Sequence, residues 1–215
     1  MMRGVVHSDH IVQFFDDPVS LAYTVADFLL AGYNHGDNLL VVAKAKNWQA
    51  IATRLRRRGC PVANAIERGR LTVLDAHATL AKLTESGRVD RAAFERIVAP
   101  LVRRLTAGPM GLSAYGEMVE LLAEERNFTG ALHLEELWND LLEKVPFQLF
   151  CGYSAAHFVA NGDREALARI CHAHKHVTTS SADILGEWMA AQVLDEPSSP
   201  RHDEPDDQND NPAWT

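Results

Sequence analysis

The stretch SAYGEMVELLAEE, residues 113–125, sets a phenol and a carboxylate, Tyr115 and Glu117, where an apolar run gives way to a helical pattern. Such a pair can hold a polar ligand, because a carboxylate accepts hydrogen bonds and a phenol donates or accepts them. Gly116 between them permits a tight turn or the close approach of a ligand. A second reading makes Glu117 a first-turn acid that stabilises the helix N-terminus by about 0.3–1 kcal/mol. Glu120 and Glu124 would then extend a solvated acidic stripe on the same face.

Three further groupings invite chemistry. In LHLEELWNDL, residues 132–141, Glu135 lies three residues before Trp138 and four before Asn139, so all three share one side of a helix. They suit either a wall for a small polar ligand or a helix contact, with Trp138 in the core beside Leu134, Leu137, Leu141 and Leu142. His10 opens an apolar run beside Asp9, which could fix its tautomer. Tyr153, like Tyr115, closes an apolar run and could turn its hydroxyl into a crevice or onto a loop. The segment CHAHKH, residues 171–176, has His172 and His176 four apart, a spacing that suits zinc. No carboxylate or further cysteine lies nearby in sequence to complete a set, and histidines at a helix C-terminus complement its dipole unaided. No metal site and no cofactor are expected. Glu117, His10 and Cys151 are the only candidates for acid–base or nucleophilic work, and none sits in a recognisable catalytic motif.

Strands and helices alternate along the chain to position these groups. Apolar runs at 10–15 (HIVQFF), 38–43 (NLLVVA), 71–74 (LTVL), 111–115 and 147–151 (FQLFC) read as strands. NLLVVA, apolar throughout, reads as buried on both faces. Helices are expected after Asp17-Pro18, from an Asn47 cap to Gly59, and over 91–105, 117–125, 130–144 and 163–176. An amphipathic piece over 181–193 closes the body, and a polar, glycine-containing loop is expected before residue 91. This alternation predicts an α/β fold with a mainly parallel sheet covered by helices on both faces. Ligands bind such sheets outside the carboxyl ends of the strands.

The strand exits carry Asp16 and Asp17, then Lys44 and Lys46, then Asp75 and His77, then Glu117, then Tyr153 and Ser154. A nucleotide-binding chain of this spacing would place a glycine-rich loop ending in Gly-Lys-Ser/Thr at the first exit. Here that segment reads FFDDPVSLA, without glycine or lysine and with two acids that repel a triphosphate. P-loop nucleotide hydrolysis is excluded on this reading.

The chain has 215 residues, 47% of them hydrophobic, enough for one domain over 1–194 with a sizeable core. Its net charge is −8. From Asp195 onward seven acids and Arg201 give the last stretch −6, which leaves the body −2. Residues 195–215, rich in Pro, Asp, Ser and Asn, are expected to form a disordered acidic tail. No basic field suits nucleic acid. RLRRRG at 54–59 is a short docking patch at most. Three scattered cysteines argue for a reducing compartment. No apolar leader opens MMRGVVHSDH and no run is long enough to span a bilayer, so a cytoplasmic, membrane-free protein is expected.

Asp9-His10 with QFF, YGEMVELL at 115–122, LHLEELWNDL at 132–141, FCGY at 150–153, and Ile170, Cys171 and His174 together resemble the MEDS domain family. This is the sensory domain of dichloromethane-responsive regulators of methylotrophs and methanogens. The resemblance spans about 7–177 and implies a RecA-like three-layer fold with a degenerate P-loop position. It also implies sensing of small hydrocarbon derivatives in prokaryotic signalling. The family often carries an arginine where this chain has Ser113, and is often fused to a DNA-binding or histidine-kinase module.

The function expected is therefore a non-catalytic sensory domain. It would bind a small organic, hydrocarbon-derived ligand at the strand ends and signal to a separate histidine kinase or transcription regulator. His10, Asp75, Tyr115, Glu117, Glu135, Trp138 and Tyr153 are the candidate ligand-binding residues. The rival reading is a ligand-free docking module, a degenerate ATPase fold acting on a kinase or sigma-factor regulator. An apolar crevice closed by side chains would favour that rival.

Overall fold

The computed structural model describes residues 8–159 and 164–179. Six parallel strands form one sheet: β1 (Asp9–Phe15), β2 (Asn38–Ala43), β3 (Leu71–Asp75), β6 (Leu112–Gly116), β7 (Gln148–Ser154) and β8 (His176–Thr179). Their order is β3-β2-β6-β7-β1-β8. A two-stranded hairpin, β4 (Thr84–Glu85) and β5 (Arg88–Val89), stands apart. Helices α1 (Pro18–His35), α2 (Ala45–Arg57) and α3 (Val62–Glu67) pack on one face. The other face is covered by α4 (Ala76–Leu83), α5 (Arg91–Thr106), α6 (Met118–Glu124), α7 (Phe128–Lys144), α8 (Ala156–Val159) and α9 (Arg164–Ala173). The result is a three-layer RecA-like α/β fold.

The alternation of side chains along each strand divides the core. Val12 and Phe14 of β1 with Cys151 and Tyr153 of β7 face the α7 layer. Phe15, Tyr115 and Phe150 face the α1 layer. β2 is buried at all six positions, as its unbroken apolar run requires. Asp17 caps α1, its Oδ1 accepting from the N–H groups of Val19 and Ser20 at 2.7 and 3.0 Å. Gly36, at φ +102°, closes the same helix in the left-handed conformation glycine favours.

Several elements differ from the sequence reading. The loop expected before residue 91 contains α4 and a hairpin whose Ser86 and Gly87 both have positive φ, the pattern of a tight two-residue turn. α3 was also absent from that reading. α2 begins at Ala45, so Asn47 lies inside its first turn and makes no cap. The helix expected to run to residue 176 ends at Ala173, because the Lys175 N–H donates to His10 O at 2.9 Å and the chain joins β1 as the edge strand β8. The amphipathic piece at 181–193 and the acidic tail lie outside the described residues.

Candidate functional site

The exits of β1, β2, β6 and β7 meet at one rim of the sheet. Only Asp16 and Asp17 separate β1 from α1, and the Asp17 carboxylate occupies the first N–H groups of that helix. Between this link, the start of α2 and α6 lies a crevice of about 310 Å³. Asp16, Lys44, Lys46, Asn47, Glu120, Glu124, Ser154 and His157 supply its polar lining, with Phe15 and Pro18 as apolar wall. Glu120, 3% exposed, accepts from the Ser154 N–H at 2.8 Å and from His157 Nε2 at 3.1 Å. Lys44 Nζ lies 3.9 Å from Glu120 and 3.5 Å from Glu124. The hydrogen bond to Glu120 raises the His157 pKa above its ordinary value, against the opposing effect of burial.

Glu117 is positioned by the handover from β6 to α6 but does not line this crevice. It is 1% exposed and takes three donors. Asn47 Nδ2 and the Tyr115 hydroxyl donate to Oε1 at 2.6 and 2.8 Å, and the Lys44 N–H donates to Oε2 at 2.5 Å. Burial raises the carboxyl pKa, and these three donors oppose the rise. Glu117 thus ties the exit of β2 to that of β6. A Cβ added to Gly116 would meet nothing within 4 Å, so packing does not demand the glycine.

A second constellation lies deeper, under α7. His10 of β1, Cys151 of β7, Glu135 of α7 and His174 after α9 converge with their donor atoms all within 4.8 Å of one another. Glu135 is fully buried. Its Oε2 lies 3.3 Å from His10 Nε2 and 3.6 Å from Cys151 Sγ, and its Oε1 lies 3.4 Å from His174 Nε2. The Tyr153 hydroxyl donates to Oε1 at 2.7 Å. Burial opposes ionisation of Glu135, but His174 and His10 hold its carboxyl below the usual carboxylate range. His174 in turn is raised by Glu135 against its own burial. Burial, reinforced by Glu135, pushes the Cys151 thiol and the Tyr153 phenol well up.

The seven residues singled out from sequence therefore separate. His10, Glu135 and Tyr153 meet in the buried cluster, and Tyr115 and Glu117 meet on the other side of the sheet. Trp138 is 1% exposed and packs edge-on against Phe94 and Phe147. Asp75 caps α4, its Oδ1 accepting from the Ala78 N–H at 2.8 Å. Ser113 donates to Asp37 at 2.9 Å near the start of β6, away from the strand exits. His172 and His176 do not share a helical face: His172 bonds the Ala168 carbonyl within α9, and His176 belongs to β8. The sequence reading left Glu120 in a solvated stripe and did not place His157. The spacing from Glu117 to Glu120, one helical turn past a strand exit, was the available signal.

One family model matches the chain, over residues 9–175, and its description is MEDS: MEthanogen/methylotroph, DcmR Sensory domain. The chain belongs to the MEDS family. No curated protein matches it. The match takes in every strand of the sheet except β8, and both constellations in full. A MEDS domain is a sensory domain, and a sensory role in signalling follows from membership. No helix among the described residues is long and apolar enough to cross a membrane.

Proposed function

We propose that this MEDS domain is a non-catalytic sensor that binds a small organic, hydrocarbon-derived molecule in the strand-end crevice and signals to a separate histidine kinase or transcription regulator. The observation that carries the reading is the crevice itself: about 310 Å³ of open, polar-rimmed space where four strand exits converge. A docking module would more naturally have that space closed by apolar side chains. The two-residue link with its capping aspartate supports a degenerate P-loop position and a ligand other than a nucleotide. Against catalysis stands the burial of the three candidate groups: Glu117, His10 and Cys151 are 1%, 4% and 1% exposed and none of them lines the crevice, Glu117 lying behind Lys44 and Asn47, which do. Binding would bias two arrangements of α6, α8 and the start of α2 around the crevice, and only a ligand with different affinities for the two would shift them.

An apolar groove of about 510 Å³, lined by Leu40, Val42, Leu74, Ile97 and Leu101 between the sheet, α4 and α5, suits the hydrocarbon part of such a ligand and is the second reading of its position. Thermal unfolding with a panel of small organic compounds and ATP tests both, since a ligand of the native state raises the midpoint. A stabiliser whose effect disappears in Lys46→Ala and His157→Ala supports the crevice. An effect lost instead in Leu101→Glu moves the site to the groove. Stabilisation by ATP, or by no compound at all, overturns the sensor reading.

A further inference from the structure

The buried constellation beneath α7 contains more donor atoms than its hydrogen bonds use. Asn139 Nδ2 donates to the Ala173 carbonyl at 2.8 Å, which leaves Asn139 Oδ1 as an acceptor. His10 Nδ1 lies 2.8 Å from that oxygen and so carries a hydrogen. His174 Nδ1 lies 2.7 Å from the Ile170 carbonyl and carries one too. A neutral ring then presents Nε2 as a bare lone pair; both Nε2 atoms are turned on the carboxylate of Glu135, and that of His10 also lies 3.4 Å from Cys151 Sγ. Lone pairs facing a carboxylate in a dry interior repel unless a cation lies between them.

That cation is a proton or a metal ion, and the geometry separates the two. His174 Nε2 is within ion-pair distance of Glu135 Oε1, yet it is a buried nitrogen with no hydrogen-bond partner, because its direction does not suit one. His174 is 8% exposed. Tetrahedral zinc with its usual bonds of about 2.0–2.3 Å to nitrogen, oxygen and sulfur requires ligand-to-ligand edges of about 3.3–3.6 Å. Among His10 Nε2, Glu135 Oε2 and Cys151 Sγ the three edges are 3.3, 3.4 and 3.6 Å; His174 Nε2 meets the other oxygen of the same carboxylate, Oε1, at 3.4 Å, and the four ligand atoms all lie within 4.8 Å of one another. A thiolate and a carboxylate also neutralise a divalent ion, so the filled site would carry no net charge into the core.

We propose that His10, Glu135, Cys151 and His174 form a structural site for a divalent transition-metal ion, zinc by preference. Two imidazoles, a thiolate and a carboxylate select zinc over magnesium or calcium, which want oxygen ligands and more of them. The set is closed, with four protein ligands under α7 and no open position, as structural zinc sites are. Asn139, the Ile170 carbonyl and Tyr153 form the supporting layer that fixes ring tautomers and the carboxylate rotamer. The site clamps β1, β7, α7 and the turn into β8, and it holds whether or not the crevice binds an organic ligand.

The test uses the full chain without a histidine tag, stripped of metal by chelator and titrated with cobalt(II) and then with zinc(II) against a chromophoric competitor. The expected result is one equivalent bound, with a thiolate-to-cobalt charge-transfer band that zinc displaces. Cys151→Ala should abolish the band. Asn139→Ala, which keeps all four ligands, should weaken zinc about 10–100-fold. Thermal unfolding of the metal-free variants shows whether they fold, and the wild-type titration stands without them. No binding by the wild-type chain, or binding without the thiolate band, overturns the proposal. So does cobalt binding that survives Cys151→Ala unchanged.

Discussion

Glu117 shows how a residue can be read correctly for position and differently for role. Its place at a strand exit was legible, since the apolar run before it and the helical period after it are both local signals. That its carboxylate turns inward was not, because Asn47 and Lys44 reach it from another strand exit seventy residues away in the chain. In Glu117→Gln the new amino group meets a donor whichever way the amide is turned, the Lys44 N–H on one side or Asn47 Nδ2 on the other. The unfolding free energy should fall by about 1–3 kcal/mol, read from the denaturant midpoint. An unchanged midpoint would mean the carboxylate is not held by these donors. His157 gives a pH signature. Its pKa is raised in the folded protein from 6.5, so its bond to Glu120 stabilises fully below that value and is lost as pH rises through the higher folded one. The melting temperature should fall over that window, and less so in His157→Gln. A slope identical in the two proteins would dismiss the pair as a contributor.

At the level of elements, the long and strongly patterned pieces were legible and the short ones were not. β2, α1 and α7 announce themselves by an unbroken apolar run or a sustained helical period, with Asp17 and Gly36 as end signals for α1. The hairpin at Thr84–Val89 has strands of two residues, too short to show any period, and its turn uses Ser86 where asparagine is the usual marker. β8 has no apolar alternation to reveal it, since all four of its residues are exposed. It is a strand because β1 offers an edge. Packing demands a glycine at Gly32 and not at Gly116. A Cβ at Gly32 would sit 2.2 Å from Ser113 Oγ, so α1 rests on β6 through that gap. Gly32→Ala should destabilise by about 1–3 kcal/mol through overpacking. Gly116→Ala, with open space around the new methyl, should leave the melting temperature within a degree or two of wild type.

Across the whole molecule the sheet is most protected at its middle and least at β8. Amide hydrogen exchange should be slowest in β6 and β7, where it requires global unfolding, and fastest in β8, which opens locally. Equal protection of β8 and β6 would contradict the edge assignment. Neither the sequence of β7 nor its family likeness reveals what that strand joins. Tyr153 turns to one side of the sheet and donates its hydroxyl to Glu135, while the very next residue offers its N–H to Glu120 in the crevice. One peptide unit therefore spans the distance between the deep cluster and the rim. A molecule in the crevice that draws Glu120 aside tugs on the backbone that holds the Glu135 carboxylate, and the pull runs equally in reverse. Thermodynamic reciprocity then fixes the outcome: whatever factor an occupant of the rim applies to affinity in the interior, the interior returns to the rim.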